Sequence, residues 1–389
     1  MSAMRRTRPL FGWLVDGAPG CTTAPEVIER MGHEFRKGGL PIDRMGVFVT
    51  TLHPTILGRA FYWTPDGPLQ IRELTRQLQE SPTFQNSPVA RVPVTKTEIR
   101  RVLDRGLAPD DFPLLHELAG EGFTDFVCFP VVFTQGQTHA ITFATRHPSG
   151  FLGEDIAELR DVLRPLARIT EIFALRRVAT NLLDTYVGRH SGEKILSGRI
   201  FKGDIEDIRA VIWFSDLRGF TEMSAGLTPR QIIDTLNELF DCQVPAIERH
   251  GGEVLKFIGD GLLAIFAVAG ADAAPAACEA ALAAADEAFA ALSARNERGG
   301  TIGRPIDFGL ALHVGEIAHG NIGGASRLDF TVIGPAVNLA ARLEGLTGRL
   351  GRKMVVSSAF AENAGRPFTD VGAFDLKGVP GKQRVLAPA

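Results

Sequence analysis

Apolar and polar positions follow three different patterns along this sequence, and each pattern covers a continuous region of the chain. In the region 20–153, short apolar runs of strand length are interspersed with amphipathic helical stretches. In the region 154–204, apolar residues first recur at steps of three and four positions and then give way to glycine and charged residues. From 205 to 389, strand-like and helix-like segments alternate. The patterns predict two globular domains, joined by a helix and a linker.

The region 20–153 is predicted to fold as a mixed module of helices and strands. Its predicted elements are a helix at 24–38, strands at 44–51 and 59–63 on either side of a turn at His53-Pro54, and a hairpin of strands at 126–133 and 138–145. The hairpin is predicted because a polar turn that contains glycine, Gln135-Gly136-Gln137, separates its two apolar runs.

The joining region begins with a long helix, predicted over 154–186. The apolar residues of this helix recur with helical spacing: Ile156, Leu159, Leu163, Leu166, Ile169 and Phe173. Pro165 lies within it, and because proline removes a backbone hydrogen bond we expect the helix to consist of two parts. The segment 188–204 is rich in glycine and charge, which predicts an irregular linker.

The region 205–389 opens with an apolar run at 210–214, which predicts a buried strand. Thr228 and Pro229 are typical of a helix start, as the N-cap and the first helical residue. Further predicted elements are strands at 253–258 and 262–266 around Gly259-Asp260-Gly261, an alanine-rich helix at 271–294 and a strand at 306–313. The order strand, helix, strand, strand, helix, strand predicts an α+β domain of the ferredoxin-like, split βαβ type.

Composition narrows the class of function. The formal net charge is −3 and no basic stripe is present, which argues against a nucleic-acid-binding protein. Four cysteines without a Cys-x-x-Cys pair predict free thiols rather than disulfides or a cysteine metal site. No apolar run approaches the roughly 18 residues of a membrane-spanning helix. We therefore expect a cytoplasmic protein that does not contact a membrane.

Two aspartates stand at strand ends, Asp216 after the 210–214 strand and Asp260 at the tip of the later hairpin. Carboxylates at strand ends can meet at one edge of a sheet, and Mg²⁺ prefers oxygen ligands that it shares with substrate phosphates. Two ions held in this way can activate a hydroxyl group and stabilise phosphoryl oxygens. Aspartate is also a common turn former, so the two residues alone leave a purely structural role open.

Three segments resemble the catalytic motifs of class III adenylate and guanylate cyclases. They are FSDLRGFT at 214–221, KFIGDGLLAIF at 256–266 and TVIGPAVNLAARLE at 331–344, and they occur in the order of that family. The resemblance covers about 209–386. It implies the fold of this family and an enzyme that converts a nucleoside triphosphate to a cyclic nucleotide and pyrophosphate.

The resemblance also implies a set of metal ligands. In this family the aspartates of the first two motifs bind both metal ions, and these positions are Asp216 and Asp260 here. The main-chain carbonyl after the first aspartate, that of Leu217, is a further ligand. The implied cofactors are two Mg²⁺ or Mn²⁺ ions in each active site.

Two positions are implied to read the base. Lys256 matches the lysine that contacts adenine, and Thr331 matches its partner, where many members have Asp and a bacterial subset has Thr or Ser. Guanylate cyclases typically have Glu in place of the lysine. The pair therefore favours ATP over GTP as the substrate, with cyclic AMP as the product.

Three further residues are implied to contact the sugar and the phosphates. Asn338 and Arg342, four positions apart on one helix face, match residues that contact the ribose and the phosphates. Lys377 matches a lysine that contacts the terminal phosphates. Because the family builds each site from two chains, the resemblance implies a head-to-tail homodimer. Pro335 and Glu316 depart from frequent family residues, at positions that bind no metal.

The N-terminal region resembles a GAF-type sensor domain, with a PAS-type domain as the alternative, because a hairpin is followed by a long helix at 151–163. This resemblance implies regulation of the catalytic domain by an unknown small-molecule ligand. His53, Trp63 and Cys128 are candidates for lining its pocket, and a core or surface role stays open for each.

Two alternatives remain besides a guanylate cyclase. The first is a catalytically silent module that binds a nucleotide, and the complete set of candidate residues argues against it. The second is a diguanylate cyclase, which shares the sheet topology. Gly251-Gly252-Glu253 resembles part of the signature of that enzyme, but Val254 and Leu255 follow where Glu and Phe would be required.

Overall fold

The computed structural model describes residues 6–50, 56–270, 272–324 and 327–389. The predicted turn at His53-Pro54 lies outside these ranges, and so does the hypothesis that His53 lines a pocket. The chain divides into two compact units, Met1–Leu182 and Leu183–Ala389. Within the described ranges, no helix combines the length and the apolar character that a membrane span requires.

The first unit is built on a six-stranded antiparallel sheet of strand order β3-β2-β1-β6-β5-β4. Its elements are α1 (Arg8–Val15), α2 (Ala24–Lys37), β1 (Arg44–Thr50), β2 (Gly58–Trp63), β3 (Gln70–Leu74), α3 (Arg76–Gln79), α4 (Pro82–Gln85), α5 (Pro88–Thr95), β4 (Ile99–Val102), α6 (Pro113–Gly120), β5 (Asp125–Val132), β6 (Thr138–Thr145) and α7 (Gly153–Val187). The helix predicted at 24–38 and the hairpin predicted at 126–145 are confirmed as α2 and as β5 with β6.

Two apolar cores, one on each face of this sheet, hold the first unit together. One core joins the sheet to α1, α2 and α7, and the other joins it to α5 and α6. Trp63 is fully buried in the first core and Cys128 in the second. Burial raises the pKa of the Cys128 thiol well above its ordinary value. Of the roles left open for these two residues, the core role is the one that the structure shows.

Helix α7 is continuous over Gly153–Val187, so the expected division at Pro165 is wrong. A proline inside a helix costs about 3 kcal/mol because a hydrogen bond is lost. Here Pro165 is buried, and apolar side chains before and after it, such as Leu159 and Leu166, enter the same core. The burial on both sides of Pro165 offsets the lost hydrogen bond and keeps the helix continuous.

The second unit contains an eight-stranded sheet of order β13-β14-β12-β10-β7-β9-β8, with β11 paired to β10 beside this path. Its elements are α8 (Arg189–Leu196), β7 (Ile205–Leu217), α9 (Phe220–Ser224), α10 (Pro229–Arg249), β8 (Glu253–Ile258), β9 (Gly261–Ala267), α11 (Ala274–Glu297), β10 (Phe308–Gly323), β11 (Leu328–Ile333), α12 (Pro335–Glu344), β12 (Met354–Ser357), α13 (Ser358–Ala361), β13 (Phe368–Asp375) and β14 (Lys382–Pro388). The predicted mixed α+β class is confirmed.

Strand β7 lies inside the sheet between β9 and β10, and helices cover both of its faces. Helices α10 and α11 pack on one face, and α12 packs on the other. Helix α10 begins as predicted, because the side chains of Thr228 and Gln231 each accept a hydrogen bond from the backbone N–H of the other. This packing fixes the end of β7, where Asp216 is found.

Residues 188–204, expected to form an irregular linker, contain the helix α8. Ser191 donates its backbone N–H (3.1 Å) and its hydroxyl (2.9 Å) to Oε1 of Glu253 at the start of β8. These contacts join positions 62 residues apart. The local composition of glycine and charge carries no sign of them, which is why the sequence does not predict the helix.

Candidate active site

Asp216 and Asp260 lie together at one end of the central strands. Asp216 is the last residue but one of β7, and β9 begins beside it because Ser215 pairs with Leu262. Asp260 lies in the tight turn between β8 and β9. Gly259 precedes it with φ of +63°, a conformation that favours glycine. The turn thereby brings the two carboxyl groups within hydrogen-bonding reach of each other.

The electrostatics of this pair are unfavourable without a counter-charge. Burial, together with the negative charge of Asp260 and the hydrogen bond to it, raises the pKa of Asp216 to about 6. The backbone N–H of Leu217 acts in the opposite direction, since it donates to the carboxylate. Two carboxyl groups in one half-buried place need a proton or a cation between them.

The donor set fits divalent cations that are shared with a ligand. Mg²⁺ and Mn²⁺ take oxygen ligands, and Mg²⁺ often takes only one or two carboxylates from the protein and the rest from phosphates. The part of the chain that the structure describes has no group of three or more His, Cys, Asp or Glu able to hold a metal ion. The two carboxyl groups of Asp216 and Asp260 alone would leave most ligand positions of such a cation to other oxygens.

A third carboxyl group, that of Glu344, lies close to this pair. Burial and the negative charge of Asp216 raise its pKa to about 7, and the hydroxyl of Thr347 donates to it at 3.2 Å. It is held against β10 at Gly309, the residue that pairs with Asp216. The sequence contains only a weak signal for Glu344, since it ends the third motif but has no implied role.

Lys256 and Thr331 belong to a second group, on β8 and β11. Nζ of Lys256 forms an ion pair of 2.9 Å with Oδ2 of Asp329, which precedes Thr331 by two positions on β11. Thr331 is only 5% exposed, and its hydroxyl has no hydrogen-bond partner among the described residues. A buried hydroxyl without a partner is unfavourable, so Thr331 is available to a ligand. The sequence does not indicate Asp329, because its contact with Lys256 spans 73 positions.

Helix α12 carries Asn338 and Arg342 on its exposed side. Neither side chain makes a hydrogen bond or an ion pair with another residue that the structure describes. Lys377 is exposed in the turn after β13, and its neighbour Leu376 packs in one core with Leu343 of α12. The side chains of Asn338, Arg342 and Lys377 are therefore all accessible to a ligand from solvent.

Asp216 and Thr331 lie at positions that pair with different ends of β10. Asp216 pairs with Gly309 at the start of this strand, whereas Thr331 pairs with Gly320, eleven positions further (320 − 309 = 11). At about 3.3 Å per residue, the path along the strand is about 36 Å. Within a single chain, the register of β10 therefore separates Thr331 from the carboxylate pair.

The segment Gly251-Gly252-Glu253 has a structural role here. The two glycines follow the end of α10, and Glu253 begins β8. Oε1 of Glu253 accepts both hydrogen bonds from Ser191 of α8. Glu253 is thus an anchor for α8, and its position gives no support to the diguanylate cyclase alternative.

Comparison with known proteins points to the second unit. The model of the adenylate and guanylate cyclase catalytic domain matches residues 205–386. An adenylate cyclase of Anabaena cylindrica is 36% identical over 41% of this chain and 31% of its own length. Adenylate cyclase 1 of Rhizobium meliloti is 32% identical over 38% of this chain and 22% of its own length. The chain thus spans less than a third of these two curated relatives.

Among solved structures, the guanylyl cyclase Cya2 is 33% identical, over 48% of this chain and 93% of its own, with a TM-score of 0.41. The matched family range begins with β7 and ends within β14, so it includes residues of all eight strands of the second unit. It also contains the three motifs and both groups of candidate residues. Residues 205–386 therefore form a class III adenylate and guanylate cyclase catalytic domain.

Proposed function

We propose that this domain is an adenylate cyclase, which converts ATP to 3′,5′-cyclic AMP and pyrophosphate. The observation that carries the proposal is the half-buried pair of Asp216 and Asp260. Divalent cations can neutralise such a pair in place of a proton, and a triphosphate can supply the remaining oxygen ligands. The names of the Anabaena and Rhizobium relatives agree with ATP as the substrate.

In the proposed reaction, Asp216, Asp260 and the carbonyl of Leu217 would hold two Mg²⁺ or Mn²⁺ ions. When bound, the ions lower the pKa of the ribose 3′-hydroxyl and neutralise charge on the triphosphate. The 3′-hydroxyl would give its proton to solvent water, its oxygen would attack the α-phosphorus in line, and the bond from the α-phosphorus to the bridging oxygen would break so that pyrophosphate leaves. The protein contributes mainly position and electrostatic stabilisation to this step.

Three exposed residues would bind the nucleotide outside the base. Asn338 would orient the ribose, and Lys377 would contact the terminal phosphates. The guanidinium of Arg342 would donate to oxygens of the α-phosphate, where charge develops in the transition state. The accessibility of all three side chains supports these roles.

Lys256 and Thr331 would select adenine. Its Watson–Crick edge offers an acceptor at N1 and a donor at the 6-amino group, which an ammonium and a hydroxyl can match. The unpartnered hydroxyl of Thr331 supports this role. The ion pair of Lys256 with Asp329 supports it as well, because it keeps the ammonium beside β11.

We further infer that two chains assemble head to tail, so that each site takes its metal ligands from one copy and its base-reading residues from the other. The eleven-residue separation along β10 supports this inference. The first unit would regulate the domain as a sensor of the GAF or PAS type, and its six-stranded antiparallel sheet is compatible with either.

The proposal is tested by turnover of the full chain with ATP or GTP under Mg²⁺ and Mn²⁺, with products identified by mass spectrometry. We expect cyclic AMP from the unchanged chain and a loss of about 100-fold or more in Asp260→Asn, because the metal site loses a charged ligand. Asp207→Asn removes an exposed carboxylate from the same strand as Asp216 and should leave turnover unchanged.

Full turnover in Asp260→Asn would show that the metal assignment is wrong. A chain that binds Mn-ATP tightly without converting it would instead be the silent nucleotide-binding module. Cyclic GMP as the main product would replace the adenylate assignment and leave the metal site unaffected.

A further inference from the structure

We propose that the first unit binds an amphipathic anion, an apolar chain with a carboxylate head group, in a cavity between α2, β1, β2 and α7. The cavity has a volume of about 430 Å³. Ligand pockets typically measure about 300–1,000 Å³. This site is separate from the catalytic residues, and the proposal does not depend on the activity of the second unit.

The floor of the cavity is apolar. Seven of its lining side chains belong to the core of the first unit or pack against it: Val27, Ile28, Val49, Phe61, Ile169, Phe173 and Ala174. Four of them are nearly inaccessible to solvent in the packed sheet and helices, namely Val27, Ile28, Phe61 and Ile169. Burying apolar ligand surface here contributes about 25 cal/mol for each Å², so the floor fits a hydrocarbon chain.

The rim of the cavity is cationic. Arg59, Arg176 and Arg177 line it, and no acidic side chain does so among the described residues. Arg59 forms an ion pair of 3.3 Å with Glu73. Arg176 and Arg177 form no ion pair with any residue in the described ranges. Guanidinium groups recognise carboxylates through paired hydrogen bonds, so the charge of the rim selects an anion.

An asparagine side chain adds a hydrogen-bonding group to the lining of the cavity. Asn181 is 6% exposed and lines the same cavity. Its side chain forms no hydrogen bond with any residue that the structure describes. Because the amide is not occupied by another described residue, its N–H can donate to a carboxylate oxygen within the cavity.

Helix α7 lines the cavity from Ile169 to Asn181, opposite the first residues of α2. A bound ligand would therefore contact α7 and α2 at once. The part of α7 that meets the ligand precedes the boundary of the first unit at Leu182. The cavity is thus placed where occupancy would change the stability of this part of α7.

Isothermal titration calorimetry of the full chain tests the ligand class with three probes: decanoate, decanol and acetate, each below its aggregation concentration. Decanoate combines the chain and the charge, decanol lacks the charge, and acetate lacks the chain. We expect saturable binding of decanoate, binding of decanol at least 10-fold weaker, and no detectable binding of acetate. Equal affinity for decanoate and decanol, or no binding of decanoate, would overturn the proposal.

Two variants locate the site. The double variant Arg176→Ala/Arg177→Ala should weaken the binding of decanoate at least 10-fold and leave the binding of decanol unchanged. Ala174→Phe should remove binding of both probes by filling the cavity, and far-UV circular dichroism checks that the chain stays folded. Arg164→Ala, at an exposed position of the same helix outside the cavity, is the matched control. An equal loss of decanoate binding in Arg164→Ala would reduce the effect to general charge attraction and overturn the proposal.

Discussion

At the scale of the residue, the contact between Lys256 and Asp329 concerns orientation more than stability. The two side chains are 34% and 62% exposed. Ion pairs with this exposure contribute about 1 kcal/mol or less to stability. The contact instead holds the ammonium group of Lys256 beside β11. Asp329, which accepts from it, precedes Thr331 by two positions, and the hydroxyl of Thr331 has no partner among the described residues.

The double variant Lys256→Glu/Asp329→Asn should change the preferred base. A carboxylate at 256 can accept from N1–H and the 2-amino group of guanine, and the second change removes the repulsion that Asp329 would exert on it. We expect the ratio of kcat/KM for GTP to that for ATP to rise about 10-fold or more. Steady-state kinetics with both nucleotides measures this ratio.

The single variant Asp329→Asn is the matched control. It keeps Lys256, so ATP should remain the better substrate, with a higher KM because the ammonium is less well positioned. An unchanged GTP to ATP ratio in the double variant would contradict the assignment of Lys256 to the base.

The sequence predicts the candidate site to the extent that its residues lie in local motifs. The sequence predicts that Asp216 and Asp260 lie close together, because each follows a strand end and glycines flank Asp260. The structure brings the two carboxyl groups together. Glu344 and Asp329 could not be anticipated. Their roles arise from contacts across the fold, with β10 at Gly309 and with Lys256 on β8.

At the scale of the element, the close approach of α12 to β10 depends on Gly309. A Cβ atom at this position would lie 2.4 Å from Oε1 of Glu344, and a hydroxyl oxygen, that of Thr347, would also be too close. No carbon atom tolerates such distances, so a larger residue must displace the side chains of Glu344 and Thr347. Gly309 also pairs with Asp216, so the displacement would reach the carboxylate pair.

Gly309→Ala should therefore lower both stability and turnover. Overpacking of a tight contact typically costs 1–3 kcal/mol, and we expect a loss of about this size in the free energy of unfolding. Urea unfolding and turnover with ATP measure the two effects. Gly348→Ala is the matched control, because nothing lies within 4 Å of a Cβ built there. Equal behaviour of the two variants would contradict this account of the contact.

Element prediction succeeded where the signal is local. The start of α10 follows from Thr228 and Pro229, which need only their own neighbours. The failures concern the continuity of α7 at Pro165 and the helix α8. In both, tertiary contacts outweigh a local preference: burial on both sides of Pro165, and the hydrogen bonds from Ser191 to β8.

At the scale of the whole molecule, the proposed head-to-tail dimer makes each chain incomplete by itself. Chains with Asp260→Asn should lack a functional metal site, and chains with Arg342→Ala should lack a phosphate contact. Mixing the two inactive variants should restore about a quarter of the original turnover, because half of the dimers are mixed and each of these has one intact site.

Refolding or co-expression of the two variants, followed by a turnover assay, measures this restoration. Each variant alone, at the same total concentration, is the control. Absence of restored turnover in a mixture shown to contain mixed dimers would place all catalytic residues in one chain and contradict the shared site.

The stability of the second unit should depend on pH through His313. Burial lowers the pKa of this side chain to about 4, from an ordinary value of 6.5. The unfolded chain therefore binds more protons than the folded one below pH 6.5, and stability falls as the pH decreases toward 4. At pH 5 the expected loss from His313 is about 2 kcal/mol relative to pH 7.5.

Urea unfolding at the two pH values, followed by the emission of Trp213 in a chain with Trp13→Phe and Trp63→Phe, measures this loss. His313→Asn should reduce the pH dependence, since asparagine keeps a polar atom near the hydroxyl of Ser357, now 2.8 Å from Nδ1. His116→Asn, at an exposed position, should leave it unchanged. An unaltered pH dependence in His313→Asn would contradict the role of this side chain.

Strand β10 also constrains how this domain can diverge. The sixteen residues of this strand include Gly309, which pairs with Asp216, and Gly320, which pairs with Thr331. The register of β10 therefore sets the distance between Asp216 and Thr331 in each chain. A single inserted residue would lengthen this distance and turn the following side chains to the opposite face. We therefore expect active homologues to preserve the length of β10 and the glycine at 309, and to collect insertions and deletions in the connection before it, at 298–307.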